Sequence, residues 1–245
     1  MQTKFPSVRP AKFAFQNFLT RAFGLHMDID FRVLSALRPI GLALDIGGNW
    51  GQSIHALQRC ASPGRILSFE PNRELADRLA ARFTRDDTVD VVSKALADKS
   101  GQMTLYVPRY GRYSYDGLAS IDREEARSWL NPKTMSWFDE NAMELDEHVV
   151  EVIRLDDLRL SPDVVKIDVQ GAEELVVRGG IETFERHRPV SIIENPSAPL
   201  TRLLGELGLD PYAFDGRKLC PHDGTWKNTI FMSETDAKRV SASRE

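Results

Sequence analysis

LALDIGGNWGQ, residues 42–52, is the stretch on which the reading of this chain turns. Leu42, Ala43, Leu44 and Ile46 make the short apolar run that a buried parallel strand needs, interrupted only by Asp45. Gly47, Gly48, Asn49 and Gly51 follow, and Gln52, Ser53, Ile54 and His55 open a helix. A strand, a glycine turn and a helix N-terminus together form a ligand-binding edge. Glycines let the backbone come close to a ligand, and the first helical N–H groups point outward without partners.

Outward from this turn, strands and helices alternate. Residues 65–69 read as a second strand ending in Glu70, followed by Pro71, Asn72 and a helix over 73–83 with Leu75, Leu79 and Phe83 on one stripe. A third strand is expected over 89–93. Ala95-Leu96-Ala97, the turn Asp98-Lys99-Ser100-Gly101 and residues 103–107 read as a hairpin. Residues 108–147 break the pattern with Tyr110, Tyr113, Tyr115, Trp129, Trp137 and Phe138, an acidic run from Asp139 to Glu147, and one short helix over 122–130. They read as a lid-like insertion at the binding edge. Strands are expected again over 148–153, 164–169 and 190–193, with a helical turn at 155–158. A helix opened by Gly171 and stopped by Gly179-Gly180, another over 200–207, and C-terminal strands over 211–214 and 229–232 complete the set. Such alternation predicts βαβ units and a mostly parallel sheet.

Upstream, Phe15, Phe18, Leu19, Ala22 and Phe23 recur at helical spacing, and a second helix is expected over 30–37 with Asp28 or Asp30 as its N-cap. Residues 1–39 thus read as a helical extension that covers a sheet edge or the cleft, 40–234 as the α/β domain, and 235–245 as a flexible polar tail. The 245 residues suit one well-buried domain. A formal net charge of -4 gives no argument for a nucleic-acid partner. Two cysteines, Cys60 and Cys220, form neither a disulfide framework nor a metal-ligand spacing, which points to a reducing cytoplasm and no metal site. No apolar run approaches a membrane span, and Lys4, Arg9, Lys12 and Arg21 break up any signal-peptide core.

Glu70 lies about 20 residues after the turn, where an acid accepts hydrogen bonds from both ribose hydroxyls of a nucleoside-containing cofactor. A dinucleotide fingerprint requires G-x-G-x-x-G, but Asn49 holds the second glycine position. Asp45 would repel a pyrophosphate and suits the ammonium of a methionine moiety, directly or through water; a turn-capping role is the other reading. Lys166 and Asp168 share a strand face, as a structural ion pair or as part of the site. Glu194 ends the next parallel strand and should flank Asp168. Glu173 begins a helix, where an acid also simply complements the dipole. His222, in a Cys-Pro-His-Asp-Gly turn, reads as a solvated loop residue.

The chain resembles the FkbM-type methyltransferases, within the class I S-adenosylmethionine-dependent superfamily. The resemblance is carried by residues 42–52, ILSFEPN (66–72), VVSKALADKSGQMTLYV (91–107), VIRLDDL (152–158), VVKIDVQGAEELVVRGG (164–180) and RPVSIIEN (188–195). It implies a Rossmann-like, seven-stranded, mostly parallel sheet with helices on both faces. It implies Asp45, Gly47, Gly48, Asn49 and Gly51 around the methionine moiety of S-adenosylmethionine, Glu70 on the ribose, and Pro71 and Asn72 beside the adenosine. Ala95 or Leu96 would lie near the adenine, and Asp168 next to the reactive methyl. Where the family has an acid, this chain has Gln170. The implied activity is O-methylation of a sugar or other hydroxyl on a small molecule or glycan precursor, with Asp168, Glu194 and Lys166 as catalytic candidates. A nicotinamide-dependent oxidoreductase, an amino methylase and a non-catalytic nucleoside-binding domain are the rival readings.

Overall fold

The computed structural model describes residues 29–135 and 137–243; the helix expected over 13–25 lies outside them. The predicted strands assemble into one twisted sheet. At its centre are β1 (Leu42–Ile46), β2 (Arg65–Phe69), β3 (Val89–Val92), β8 (Val164–Ile167) and β9 (Val190–Glu194), all parallel. Next to β9 lies β12 (Asn228–Met232), antiparallel to it, then β10 (Asp210–Phe214) and β11 (Leu219–Pro221), each antiparallel to its neighbour. The full order is β11-β10-β12-β9-β8-β1-β2-β3. The sheet therefore has eight strands rather than the seven expected. The addition is β11, a three-residue edge strand too short and too polar in context to announce itself.

The helices are α1 (Gln52–Cys60), α2 (Arg73–Phe83), α3 (Arg123–Ser128), α4 (Glu173–Arg178), α5 (Ile181–His187), α6 (Ala198–Glu206) and α7 (Glu234–Ala242). Strand side chains alternate between two cores. Ala43, Ile66, Val164 and Ile192 pack with α1, α2 and α7, whereas Leu44, Leu67, Val165 and Ile193 pack with α4, α5 and α6. Both faces of the central strands are thus buried, as a parallel sheet requires. Among the described residues, no helix is long and apolar enough to cross a membrane.

Four expectations are corrected. The segment expected to be an α-helix over 30–37 is a 3-10 helix, Ile29–Ala36, and its Phe31, Val33 and Leu34 belong to the sheet's own core. Asp30 is not a cap there; it is buried and accepts a hydrogen bond from Asn228 Nδ2 at 2.9 Å. The polar stretch expected to be a flexible tail forms α7, because Ser233 caps it by accepting from Asp236 N, and Ala237 and Val240 bury one face. The hairpin expected over 95–107 does not form.

In its place stands a second, four-stranded sheet. It comprises β4 (Ala95–Leu96), β5 (Gly101–Tyr110), β6 (Tyr113–Ser114) and β7 (Met143–Ile153), in the order β4-β7-β5-β6. β7 lies between β4 and β5, parallel to the first and antiparallel to the second along the whole of β5. A two-residue β4 offers little pairing, while the long β5–β7 ladder buries Leu105 and Val107 against Val150. Because β5 and β7 extend to Tyr110 and Met143, the insertion proper narrows to residues 111–142.

Candidate active site

β1 delivers the chain to the glycine turn. The Gly47 and Gly48 N–H groups both donate to the Phe69 carbonyl, at 2.9 and 3.1 Å, so the turn is tied to the end of β2. Gly47 has φ +87°, and a Cβ there would lie 1.9 Å from the Asp168 carbonyl oxygen. Only glycine fits between these strand ends. Gly47→Ala is therefore expected to destabilise the protein by roughly 3 kcal/mol or more, from the left-handed backbone and the clash together. An unchanged thermal melt would contradict this.

One level below the turn, a polar row crosses three strands. Asp45 sits opposite Ser68 on β2 and Lys166 on β8. Ser68 Oγ donates to Asp45 Oδ2 at 2.8 Å, and Lys166 Nζ lies 3.8 Å from Asp45 Oδ1. By strand alternation Asp45 points to the α1 side of the sheet, where it is 0% exposed beneath Gly48. It does not line the cavity above it, so Asp45 stands as partner to a buried lysine rather than as direct ligand. Lys166 also donates to the Gly47 carbonyl at 3.0 Å, bracing the turn from below. Burial opposes its charge, but Asp168, Asp45, Glu194 and Glu70 outweigh that and hold the ammonium above its ordinary value.

Above the row lies a cavity of about 740 Å³, including the part open to solvent. Gly47, Asn49, Glu70, Pro71, Ala95, Leu96 and Asp168 all line it, as the sequence suggested. Gly48, Gly51 and Asn72 support it from behind. Gly48 packs on Ser68, Gly51 (φ +81°) on Leu79 and Phe83, and Asn72 caps α2 by accepting from Glu74 N and Leu75 N. Glu70 is gripped by the backbone: Asn49 N donates to Oε2 at 2.8 Å and Asn72 N to Oε1 at 2.9 Å. Burial nevertheless dominates and pushes its carboxyl up to about 7.

At the other end, Asp168 follows β8. Lys166 Nζ lies 3.6 Å from its Oδ2, and Gln170 Nε2 donates to its Oδ1 at 2.7 Å. Burial works against the Asp168 charge, yet Lys166 and the Gln170 amide hold its carboxyl below the usual range. An ionised acid at position 170 could not make that donation. Glu194, at the end of β9, neighbours Asp168 and is ion-paired with Lys227 at 3.0 Å. Burial, then the Asp168 charge, push Glu194 up against the pull of Lys227. Their surroundings thus push the two neighbouring carboxyls in opposite directions, Asp168 down and Glu194 up. Glu173 is structural, since its carboxylate accepts from Val169 N and Gly171 N and shapes the left-handed Gln170-Gly171 turn. His222 anchors its own loop, accepting from Gly224 N and contacting Thr229 Oγ1 at 2.9 Å, away from the cavity.

The family comparison matches this arrangement: the methyltransferase FkbM domain covers residues 40–204, from just before the glycine turn through most of α6. The chain belongs to that family. Its core has parallel strands ordered outward from β1 and one antiparallel strand beside β9. The 2-O-methyltransferase NoeI of Sinorhizobium fredii (strain NBRC 101917 / NGR234) is 26% identical over 156 residues, 62% of each protein, so the chain spans less than two thirds of that relative. Among solved structures, methyltransferase FkbM from Methylobacillus flagellatus KT aligns with 78% of this chain and 43% of its own, at 14% identity and a TM-score of 0.49. Precorrin-6y C5,15-methyltransferase from Geobacter metallireducens GS-15 aligns over 81% and 84%, at 16% identity and a TM-score of 0.38.

This FkbM-family cavity also has a wall that the sequence pattern does not reveal. Met103 and Leu105 of β5, with Asp116, Gly117, Ala119 and Ile121 of the insertion, close the side facing Glu70 and Asn49. The insertion is fastened there. Ser120 Oγ lies 2.9 Å from both the Gln170 carbonyl and Glu125 Oε2, and the Ser120 backbone pairs with Tyr106. The aromatics that suggested a lid pack among themselves: Tyr110 stacks on Phe138, and Tyr115 is buried with Leu130 and Met135. Trp137 stands 97% exposed. The signal for this wall was its small residues, Gly117 and Ala119, which allow close approach to a ligand.

Proposed function

We propose that this chain is an S-adenosylmethionine-dependent methyltransferase that transfers to a hydroxyl, on a sugar or related small molecule or glycan precursor. The observation that carries the reading is one continuous cavity joining Glu70 to Asp168 across the glycine turn. The residues present suit the cofactor. Asn49 Oδ1 is buried at the cavity wall with no hydrogen-bond partner, and Glu70 holds two oxygens whose remaining lone pairs can accept ribose hydroxyls. Pro71, Ala95 and Leu96 offer an apolar slot for the adenine. When bound, the cofactor supplies a methyl group activated by its sulfonium, so the protein's work is orientation, desolvation and proton handling.

Asp168 is the group suited to take the acceptor's proton at Oδ2, since Lys166 and Gln170 keep it ionised. Glu194 would share that proton, and Lys166 would hold the pair beside the turn. The likeness to NoeI, a 2-O-methyltransferase, favours a hydroxyl over an amine. The cysteine content fits a cytoplasmic enzyme. The test is S-adenosylhomocysteine release by the purified chain across panels of sugars, other hydroxyl compounds and amines. Turnover confined to hydroxyl acceptors is expected. Turnover only with amines, or none with calorimetrically confirmed cofactor binding, would overturn the assignment.

A further inference from the structure

S-Adenosylmethionine carries an α-ammonium as well as a sulfonium, and a buried ammonium needs an anionic or strongly accepting partner. The strand-end acid expected to serve, Asp45, is sealed beneath Gly48 and committed to Ser68 and Lys166. Glu70 is occupied by the Asn49 and Asn72 N–H groups at the adenosine end. Asp168 is already balanced by Lys166 and Gln170. One carboxylate lining the cavity is left, and it comes from the insertion: Asp116.

Asp116 forms no ion pair among the described residues; a hydrogen bond from Ser114 Oγ to its Oδ1, at 2.6 Å, orients it. It adjoins Gly117, which lies against Asn49 so closely that a Cβ there would sit 2.8 Å from Asn49 Nδ2. The buried Asn49 Oδ1 lacks a partner beside the same segment. A carboxylate and an orphaned amide oxygen therefore converge on one corner of the cavity, next to the glycine turn. The Ser120 anchor to the Gln170 carbonyl fixes the segment that presents Asp116. We propose that Asp116, together with the Asn49 side-chain oxygen, receives the ammonium of the cofactor's amino-acid end. The insertion is then part of the cofactor site rather than a cover over it. This rests on the methyltransferase reading above and extends it.

The experiment is calorimetric titration of wild type and Asp116→Asn with two ligands. S-Adenosylhomocysteine bears the ammonium; 5′-methylthioadenosine has the same nucleoside and thioether without the amino-acid end. Asp116→Asn keeps the size and the Ser114 partner of the side chain. It is expected to weaken S-adenosylhomocysteine by about tenfold or more, the scale of a charge-assisted hydrogen bond, while methylthioadenosine changes by less than about twofold. Unchanged affinity for both ligands, or equal weakening of both, would overturn the proposal while leaving the cofactor reading standing. Wild type that binds neither ligand would remove the cofactor reading and this inference together.

Discussion

Asp168→Asn is expected to lower methyl transfer by about 10²–10⁴-fold at saturating cofactor, the usual range for removing a general base. Binding of S-adenosylhomocysteine should change by only about threefold if Asp168 serves the acceptor's proton, as proposed, rather than the nucleoside. The isosteric amide keeps a polar group between Gln170 and Lys166, and Asp45 still balances the lysine. Glu194→Gln should have the smaller effect, about tenfold, since it acts on the proton that Asp168 holds. Its rate–pH profile should shift as well, which a merely structural role would not produce. If both variants kept full transfer rates, the carboxyl pair would not be part of the chemistry. A melt stabilised by added product separates a folded, inactive variant from an unfolded one.

Glu70→Ala is expected to weaken S-adenosylhomocysteine by about 100-fold or more, since two hydrogen bonds to a charged acceptor are lost. The intact residue makes its own prediction. In the free protein its carboxyl sits near pH 7, pushed there by burial. Ribose hydroxyls bind the ionised form, so affinity should fall by up to about tenfold for each pH unit below 7 and level off above it. Stability moves the opposite way. Between the ordinary value of 4.5 and about 7 the folded chain holds a proton that the unfolded chain has released. The contribution from Glu70 therefore declines as pH rises through that window, by about 3 kcal/mol in all. Affinity measured from pH 6 to 8 that did not vary would refute the ionised-carboxylate role.

Features set by local chemistry are legible in the sequence. The glycine turn and Glu70 at a strand end depend on neighbours a few residues away, and both are present in the structure, whereas the capping of α2 by Asn72 is not part of the sequence reading. Asp45 is misplaced by the sequence pattern because alternation says which residues share a face but not which face meets the ligand. That choice is made by the helix layer that Gly48 brings down over it. The placement of β7 between β4 and β5 is illegible for a related reason, since strand partners are chosen by the length and packing of the whole ladder. α7 does leave a trace. Ser233 is followed three residues later by Asp236, whose N–H donates to the Ser233 hydroxyl while that hydroxyl donates to its carboxylate, and Ala237 and Val240 lie on one helical face. α5 is hidden because Gly179-Gly180 suggests a full stop, whereas Gly180 begins the next helix.

The bond from Lys166 to the Gly47 carbonyl joins residues 119 apart in the chain. Closing a loop of that length is entropically slow to reward, and β1 has no neighbour on that side until β8 has been synthesised. A nascent chain that has emerged only through β3 holds the glycine turn with half of its floor missing. The ligand cavity is therefore not complete until β8 and the residues that follow it, through Ala172, have been synthesised. Cofactor capture by such a chain reports the arrival of its second half, and a truncation before β8 should bind nothing however well its first strands pair.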